Sequence, residues 1–380
     1  MRPPSRIAAL AGSVLFVATS GPAVARTFTD ILGTPITRPI SDSLATSVGR
    51  SLPVISASAG LVFTFDPETG AFQRQTSILG QLFLERPEPV GQRRWNVSLS
   101  YQRVKIDRID GQDIEGLSDT AHPIIDPNTQ NPIKFPRFGV DLETHEVTTS
   151  LTYGVTDDVD VNLTVPVLFS EFRVRLTQVS PGSVKSFGDS DTKTGVGDIF
   201  LRGKYRIVNR DWLHAALGLV LRLPAGNEEN FQGTGTFEVA PMVYASPRRF
   251  DVSDVVHLQP YVNAGVGFDT DDVGASEPRW GVGLDTLLGE HATIAVAVLG
   301  RHPLRRVAPP GFFDFAREDG SVRPLFGLSG ERPDLYDFSF GGRVNVWRDT
   351  VFGFANVIVP LNDEGVRSDA IPTFGIESSF

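Results

Sequence analysis

The residues best placed to do chemistry are charged side chains spaced two apart. Arg202, Lys204 and Arg206 alternate with Leu201, Tyr205 and Ile207, and Arg222 follows in the next segment. In an extended strand successive side chains point to opposite faces, so the cations share the face opposite the apolar residues. Glu146, Asp160, Glu238 and Asp285 fall on comparable polar faces. If the apolar faces meet lipid, a cation placed there would cost on the order of 2–4 kcal/mol near the midplane, so these residues turn inwards. Two chemistries are then open, and the pattern does not choose between them. The charges line a constriction that selects solutes by field and size, or they pair into an interior network that ties strands together and leaves no open pore.

The other candidates are weaker. His214 and His257 lie on inward faces of segments separated by a third, too far apart to share a metal. There is no cysteine, hence no disulfide framework and no thiolate metal site, and no cofactor is expected. Gly195-Val196-Gly197 opens a strand rather than a helix, so its amides do not converge on a phosphate. Serine, histidine and aspartate are all present, but no nucleophile elbow marks one serine. No catalytic residue is assigned, and an enzyme of the barrel-hydrolase kind is the least favoured reading. Asp269, Asp271 and Asp272 read as solvated loop acids rather than ligands of a bridging divalent ion.

The elements that must position these residues are amphipathic strands. Trp95, Val97, Leu99 and Tyr101 oppose Asn96, Ser98, Ser100 and Gln102. Val159, Val161, Leu163 and Val165 oppose Asp160, Asn162 and Thr164, and the same period-two rule holds from Leu213, Val256 and Tyr336. About fourteen such segments begin near residues 55, 71, 93, 139, 158, 194, 212, 235, 254, 277, 291, 334, 350 and 370, with twelve as the alternative because the first pair is weakly patterned. Phe352 and Phe354 sit out of phase with Val357 and Val359, which predicts a bulge in that strand. Every second connection is a tight turn (Thr156-Asp157, Asn209-Arg210-Asp211, Gly289-Glu290, Arg348-Asp349), whereas residues 107–138, 176–194 and 302–333 make long polar ones. That alternation is the rule for transmembrane antiparallel β-barrels, whose turns are periplasmic and whose long loops are external. Trp95, Tyr101, Tyr153, Phe169, Tyr205, Trp280 and Phe380 share the apolar faces, as girdle residues at headgroup level would.

The ends add a location. Arg2 and Arg6 precede an apolar run from Ile7 to Ala18, and Ala23-Val24-Ala25 supplies a signal-peptidase site, so residues 1–25 read as a cleaved signal peptide. Loss of the two arginines takes the net charge from −10 to −12, which disfavours a nucleic-acid partner. Residues 26–54 form a periplasmic extension or plug, where Ser41 or Asp42 could cap a short helix carrying Leu44, Val48 and Leu52, and residues 55–380 form the barrel. The last segment alternates Phe374, Ile376 and Phe380 against Thr373, Gly375 and Glu377. It resembles the C-terminal signal read by barrel-assembly machinery.

Three stretches carry a family resemblance. They are Glu85-Arg86 through Tyr101 with Asp110-Gly111-Gln112-Asp113, then Gly195-Val196-Gly197-Asp198 leading to Lys204-Tyr205-Arg206, then Leu221-Arg222-Leu223-Pro224-Ala225-Gly226. Together they resemble the outer-membrane barrels of the meta-pathway phenol degradation family, which are fatty-acid-channel-like. The resemblance covers most of residues 55–380 and implies passive passage of small molecules, hydrophobic or aromatic ones included, across the bacterial outer membrane. It assigns no catalytic residue. Outer-membrane lipid, lipopolysaccharide and a small solute are the partners it implies. A structural or adhesive barrel working through its long loops is the alternative.

Overall fold

The computed structural model describes residues 26–32, 56, 63–66, 71–74, 82–125, 131–289, 292–304, 314–316, 322–324, 332–347 and 350–380. The signal segment and the helix expected around residues 41–52 lie outside these. Twelve strands form the wall: β1 (Trp95–Ile106), β2 (Pro132–Gly154), β3 (Val159–Ser180), β4 (Ile199–Arg210), β5 (Leu213–Leu223) and β6 (Glu238–Pro247), then β7 (Val256–Asp269), β8 (Glu277–Leu288), β9 (Ala292–Arg301), β10 (Leu335–Trp347), β11 (Val351–Pro360) and β12 (Ile371–Ser379). Each pairs antiparallel with its chain neighbours, and β12 returns to β1, so the sheet closes. Closure leaves no unpaired edge, the condition for placing a sheet in lipid.

The period-two reading sets inside from outside. Leu99, Val161, Leu163, Leu201, Leu217, Val243, Val282 and Phe340 are exposed on the outer face. Asn96, Gln102, Glu146, Thr152, Asn162 and Asp285 are buried within. Exposed apolar side chains around a closed wall are the surface of a barrel that spans a membrane. Trp95 stacks near Tyr153 at 4.4 Å between ring centroids at the turn end, and Tyr101 packs on Phe374 at 4.9 Å toward the loop end.

Two expectations are corrected. The strand count is twelve, not fourteen, because Phe63–Asp66 and Ala71–Arg74 pair only with each other. At four residues each, they are shorter than the roughly 9–11 that a membrane crossing needs. Nor does β11 bulge: its pairing with β12 is continuous, and Phe352 and Phe354 point inwards with Asn356 and Ile358. The register shift lies opposite, in β10 between Asn345 and Trp347. Gly375 makes room for the inward ring, since a Cβ there would lie 2.6 Å from Phe354 Cζ.

β2 and β3 run 23 and 22 residues, far more than a crossing. Their upper halves continue beyond the wall, joined by Ser183–Val196 along β3. Ser183–Val196 and β4 pair with successive stretches of β3, and the break between them is Gly197-Asp198.

Candidate functional site

The turn-end half of the lumen is filled by the chain itself. Residues 82–91 run through it before β1 begins, with Arg86 only 1% exposed. Pro87 and Pro89 lie in this stretch and lack an N–H, so an extended chain without a ladder partner has fewer donors to satisfy. The wall supplies the rest. Lys204 Nζ donates to Arg86 O at 3.1 Å and lies 3.5 Å from Asp160 and 3.8 Å from Glu85. Asp160 also accepts the Val90 N–H at 3.3 Å, and the Asn263 amide matches both the N–H and the C=O of Glu85. Two glycines are needed for the fit. A Cβ on Gly154 would sit 1.7 Å from Gly91 O, and one on Gly281 would lie 2.3 Å from Leu84 Cδ2.

Around this plug the inward polar residues satisfy one another. Glu146 accepts from Gln102 Nε2 at 2.9 Å and Thr148 Oγ1 at 2.6 Å. Arg202 donates to Asn162 Oδ1 and Thr164 Oγ1, both at 2.8 Å, and its guanidinium lies over the Phe200 ring at 5.3 Å. Arg343 pairs with Glu377 at 3.3 Å, both nearly inaccessible. Buried charges are tolerated only when paired and hydrogen-bonded in this way.

Toward the loop end the inward face changes character. On β1 it passes from Gln102 to Val104 and Ile106, on β2 from Thr144 to Leu142 and Val140, and on β3 from Ser170 to Phe172 and Val174. Ile358 and Ile371 continue the patch on β11 and β12, so five adjacent strands turn apolar at one height. A roof closes over them. Arg108–Ile109 pairs with both Gln112–Asp113 and Val366–Arg367, burying Ile109, Ile114 and Val366. At the edge of this roof, burial and the neighbouring Asp369 push the Asp107 carboxyl above its ordinary range. The short helix Phe28–Leu32 packs here, with Phe28 against Phe172 and Phe231 at 5.4 and 5.7 Å. The described part of the N-terminal extension therefore lies at the loop end, not at the turn end expected of a periplasmic segment. Aromatic contacts fix it there.

Between plug and roof lies a cavity of about 210 Å³. Phe83, Leu84, Val104, Ile106, Leu299, Ile358 and Ile371 supply its apolar lining. Arg222, Glu238, Glu277, Arg279, Arg301, Asp337 and Arg367 supply charge. Arg279 reaches Glu238 at 2.9 Å and Glu277 at 3.6 Å, while Asp337 holds Arg367 at 2.7 Å and stands 3.8 Å from Arg301. The β11–β12–β1 side of the cavity is greasy and the β5–β10 side carries its ion pairs.

Of the sequence candidates, only Arg222 and Glu238 reach this cavity. Lys204 and Asp160 hold the plug, and Arg206 pairs with Asp158 at the turn end. Arg202 and Glu146 belong to the polar network, and Asp285 is wholly buried. His257 bonds Asp251 at 2.6 Å, and His214 pairs in register with Ser246, so the two histidines do not meet. Among the described residues no acidic or histidine cluster is arranged to hold a metal ion. Asp269 is no solvated loop acid: it is buried and accepts Thr236 Oγ1 and the N–H groups of Asp271 and Asp272.

Sequence reasoning missed Asp198, Arg279, Arg301, Asp337 and the plug. Asp198 is 3% exposed. It accepts from Arg222 Nε, Gly226 N, Thr234 N and Thr234 Oγ1 at 2.8–3.2 Å, pinning the β5–β6 loop over the strand break. Its signal was the glycine on either side of Val196 followed by a lone acid. The plug's signal was Arg86-Pro87-Glu88-Pro89, charged and proline-rich, directly before the first crossing strand.

No protein-family profile matches the sequence and no curated protein is similar to it, so the family resemblance remains a resemblance. Solved structures are similar at low identity. The COG4313 outer membrane channel from Pseudomonas putida F1 is 13% identical, covering 77% of this chain and 97% of that one, with a TM-score of 0.46. A Pseudomonas aeruginosa FadL homologue is 12% identical over 76% of this chain and 90% of its own, with a TM-score of 0.33. The CymD monoaromatic hydrocarbon channel is 8% identical over 76% and 89%, with a TM-score of 0.34. With TM-scores under 0.5, these likenesses leave function to be read from the chain's own geometry.

Proposed function

We propose that this chain is an outer-membrane channel that passes small molecules with an apolar body, passively and without a cofactor. The observation that carries this reading is the cavity of about 210 Å³ held between roof and plug inside a lipid-facing wall. Its apolar lining favours a body the size of one ring, since pockets for small molecules are mostly apolar with a few placed polar groups. The signal-like residues 1–25 and the C-terminal strand ending in Phe380 support export and insertion by barrel-assembly machinery, with lipid and lipopolysaccharide around the wall. The turns then face the periplasm and the long loops the exterior. Flux into proteoliposomes tests the reading: phenol-sized neutral solutes should enter faster than a sugar of similar mass. Equal rates with protein-free vesicles would refute it. The filled turn-end half favours a second reading, a permanently closed structural or adhesive barrel, and that same null result would select it.

A further inference from the structure

Arg279 on β8 and Arg301 on β9 are directly opposed partners in the ladder, and both line the cavity. Like charges directly opposite each other on one face of a sheet are destabilising. Each keeps an acid on its far side, Glu238 at 2.9 Å for Arg279 and Asp337 at 3.8 Å for Arg301. Asp337 is itself shared, because Arg367 holds it at 2.7 Å. The two side chains are 28% and 22% exposed, although they stand inside the barrel wall. Leu84 and Leu299 lie beside them as the apolar floor.

We infer that this pair is an anion site and that the preferred solute is a small amphipathic carboxylate. The carboxylate sits between Arg279 and Arg301, and a ring-sized apolar body rests on Leu84, Leu299 and Ile358. An anion there removes the repulsion between the two cations, and guanidinium–carboxylate hydrogen bonds are the strong, charge-assisted kind. Glu238 and Glu277 both lie beyond Arg279, whereas the one acid near Arg301, Asp337, is already held by Arg367, so the Arg301 edge carries more of the contact. The inference deepens the channel reading and rests on the same cavity.

Calorimetry on the purified full chain in detergent tests it with three probes of one size: benzoate, benzyl alcohol and benzylamine. Benzoate should bind about tenfold or more tighter than benzyl alcohol, as expected of hydrogen bonds to a charged group, and benzylamine weakest. Arg301→Gln should bring benzoate affinity down to near that of benzyl alcohol and so remove the preference, and Arg301→Lys should keep part of it. Heat-shifted gel migration shows whether each variant still folds. Equal binding of benzoate and benzyl alcohol to the native chain overturns the inference without recourse to any variant, and so does a folded Arg301→Gln chain that keeps the preference. Neutral-solute flux without benzoate preference would leave the channel standing and remove the anion site. Benzoate binding without any flux would do the reverse.

Discussion

Lys204→Gln should unlock the plug. Lys204 is 7% exposed, and its ammonium lies 3.5 Å from Asp160 of the wall and 3.8 Å from Glu85 of the plug. Removing one partner of a buried ion pair leaves an uncompensated charge and costs about 3–5 kcal/mol. That loss falls on the docked state of residues 82–91, because the ladder bonds of β4 to β3 and β5 are untouched. At about 1.4 kcal/mol per tenfold, the released fraction rises by roughly two to four powers of ten. The chain has no native cysteine, so a Leu84→Cys, Gly281→Cys pair reports docking cleanly. A Cβ on Gly281 would lie 2.3 Å from Leu84 Cδ2, an atom that Leu84→Cys removes, so the paired substitution relieves that clash and leaves the two side chains facing each other. In the Lys204→Gln background the cross-link should form less completely and planar-bilayer conductance should rise. Adding Asp160→Asn should restore part of both by removing one orphaned carboxylate. A Lys204→Gln chain that folds, cross-links fully and conducts like the parent would refute the assignment of Lys204 as the plug's anchor.

Two further outcomes follow from the wall. Asp198→Ala should loosen residues 226–234 by at least one charge-assisted hydrogen bond, about 1.5–3 kcal/mol. Hydrogen exchange confined to that loop would show it, and unchanged protection would mean that the loop is held elsewhere. Leu163→Arg puts a cation on the outward face near mid-height and should lower unfolding stability in lipid by about 2–4 kcal/mol. An unchanged urea midpoint would mean that this face does not meet lipid.

Much of the wall was legible because period two is a local property. The segment starting at Trp95 already separated Leu99 from Ser100 and Gln102, and the structure keeps that division around the whole barrel. The extra strand pair was read into runs beginning near residues 55 and 71, where the described strands Phe63–Asp66 and Ala71–Arg74 are too short to cross. Phe352 and Phe354 misled for a different reason. Apolar residues were assumed to face lipid, yet Phe352 is wholly buried on the inner face and Phe354 packs there against Leu82 and Gly375. The site was less legible because it depends on height along the barrel. Arg202 and Lys204 stand out in sequence as a ladder, but Arg202 is taken up by Asn162 and Thr164 of the wall and Lys204 by the plug. Arg279 and Arg301 lie apart in sequence and become neighbours only through the β8–β9 register.

The contrast between the two ends of the lumen explains why a narrow barrel can be both filled and selective. A polar interior needs polar contents, and residues 85–90 provide them through Lys204, Asp160 and Asn263. Above the plug, five adjacent strands exchange serine, threonine and glutamine for valine, isoleucine and phenylalanine on the same inward face. Opposite them the wall keeps Arg222, Glu238, Arg279, Arg301 and Asp337. A purely apolar molecule leaves that ionic side unserved, and a strongly polar one must desolvate against the greasy side. An amphipathic molecule satisfies both at once. On the proposed channel reading, selectivity resides in the cavity's two-sidedness and passage depends on the plug beneath it.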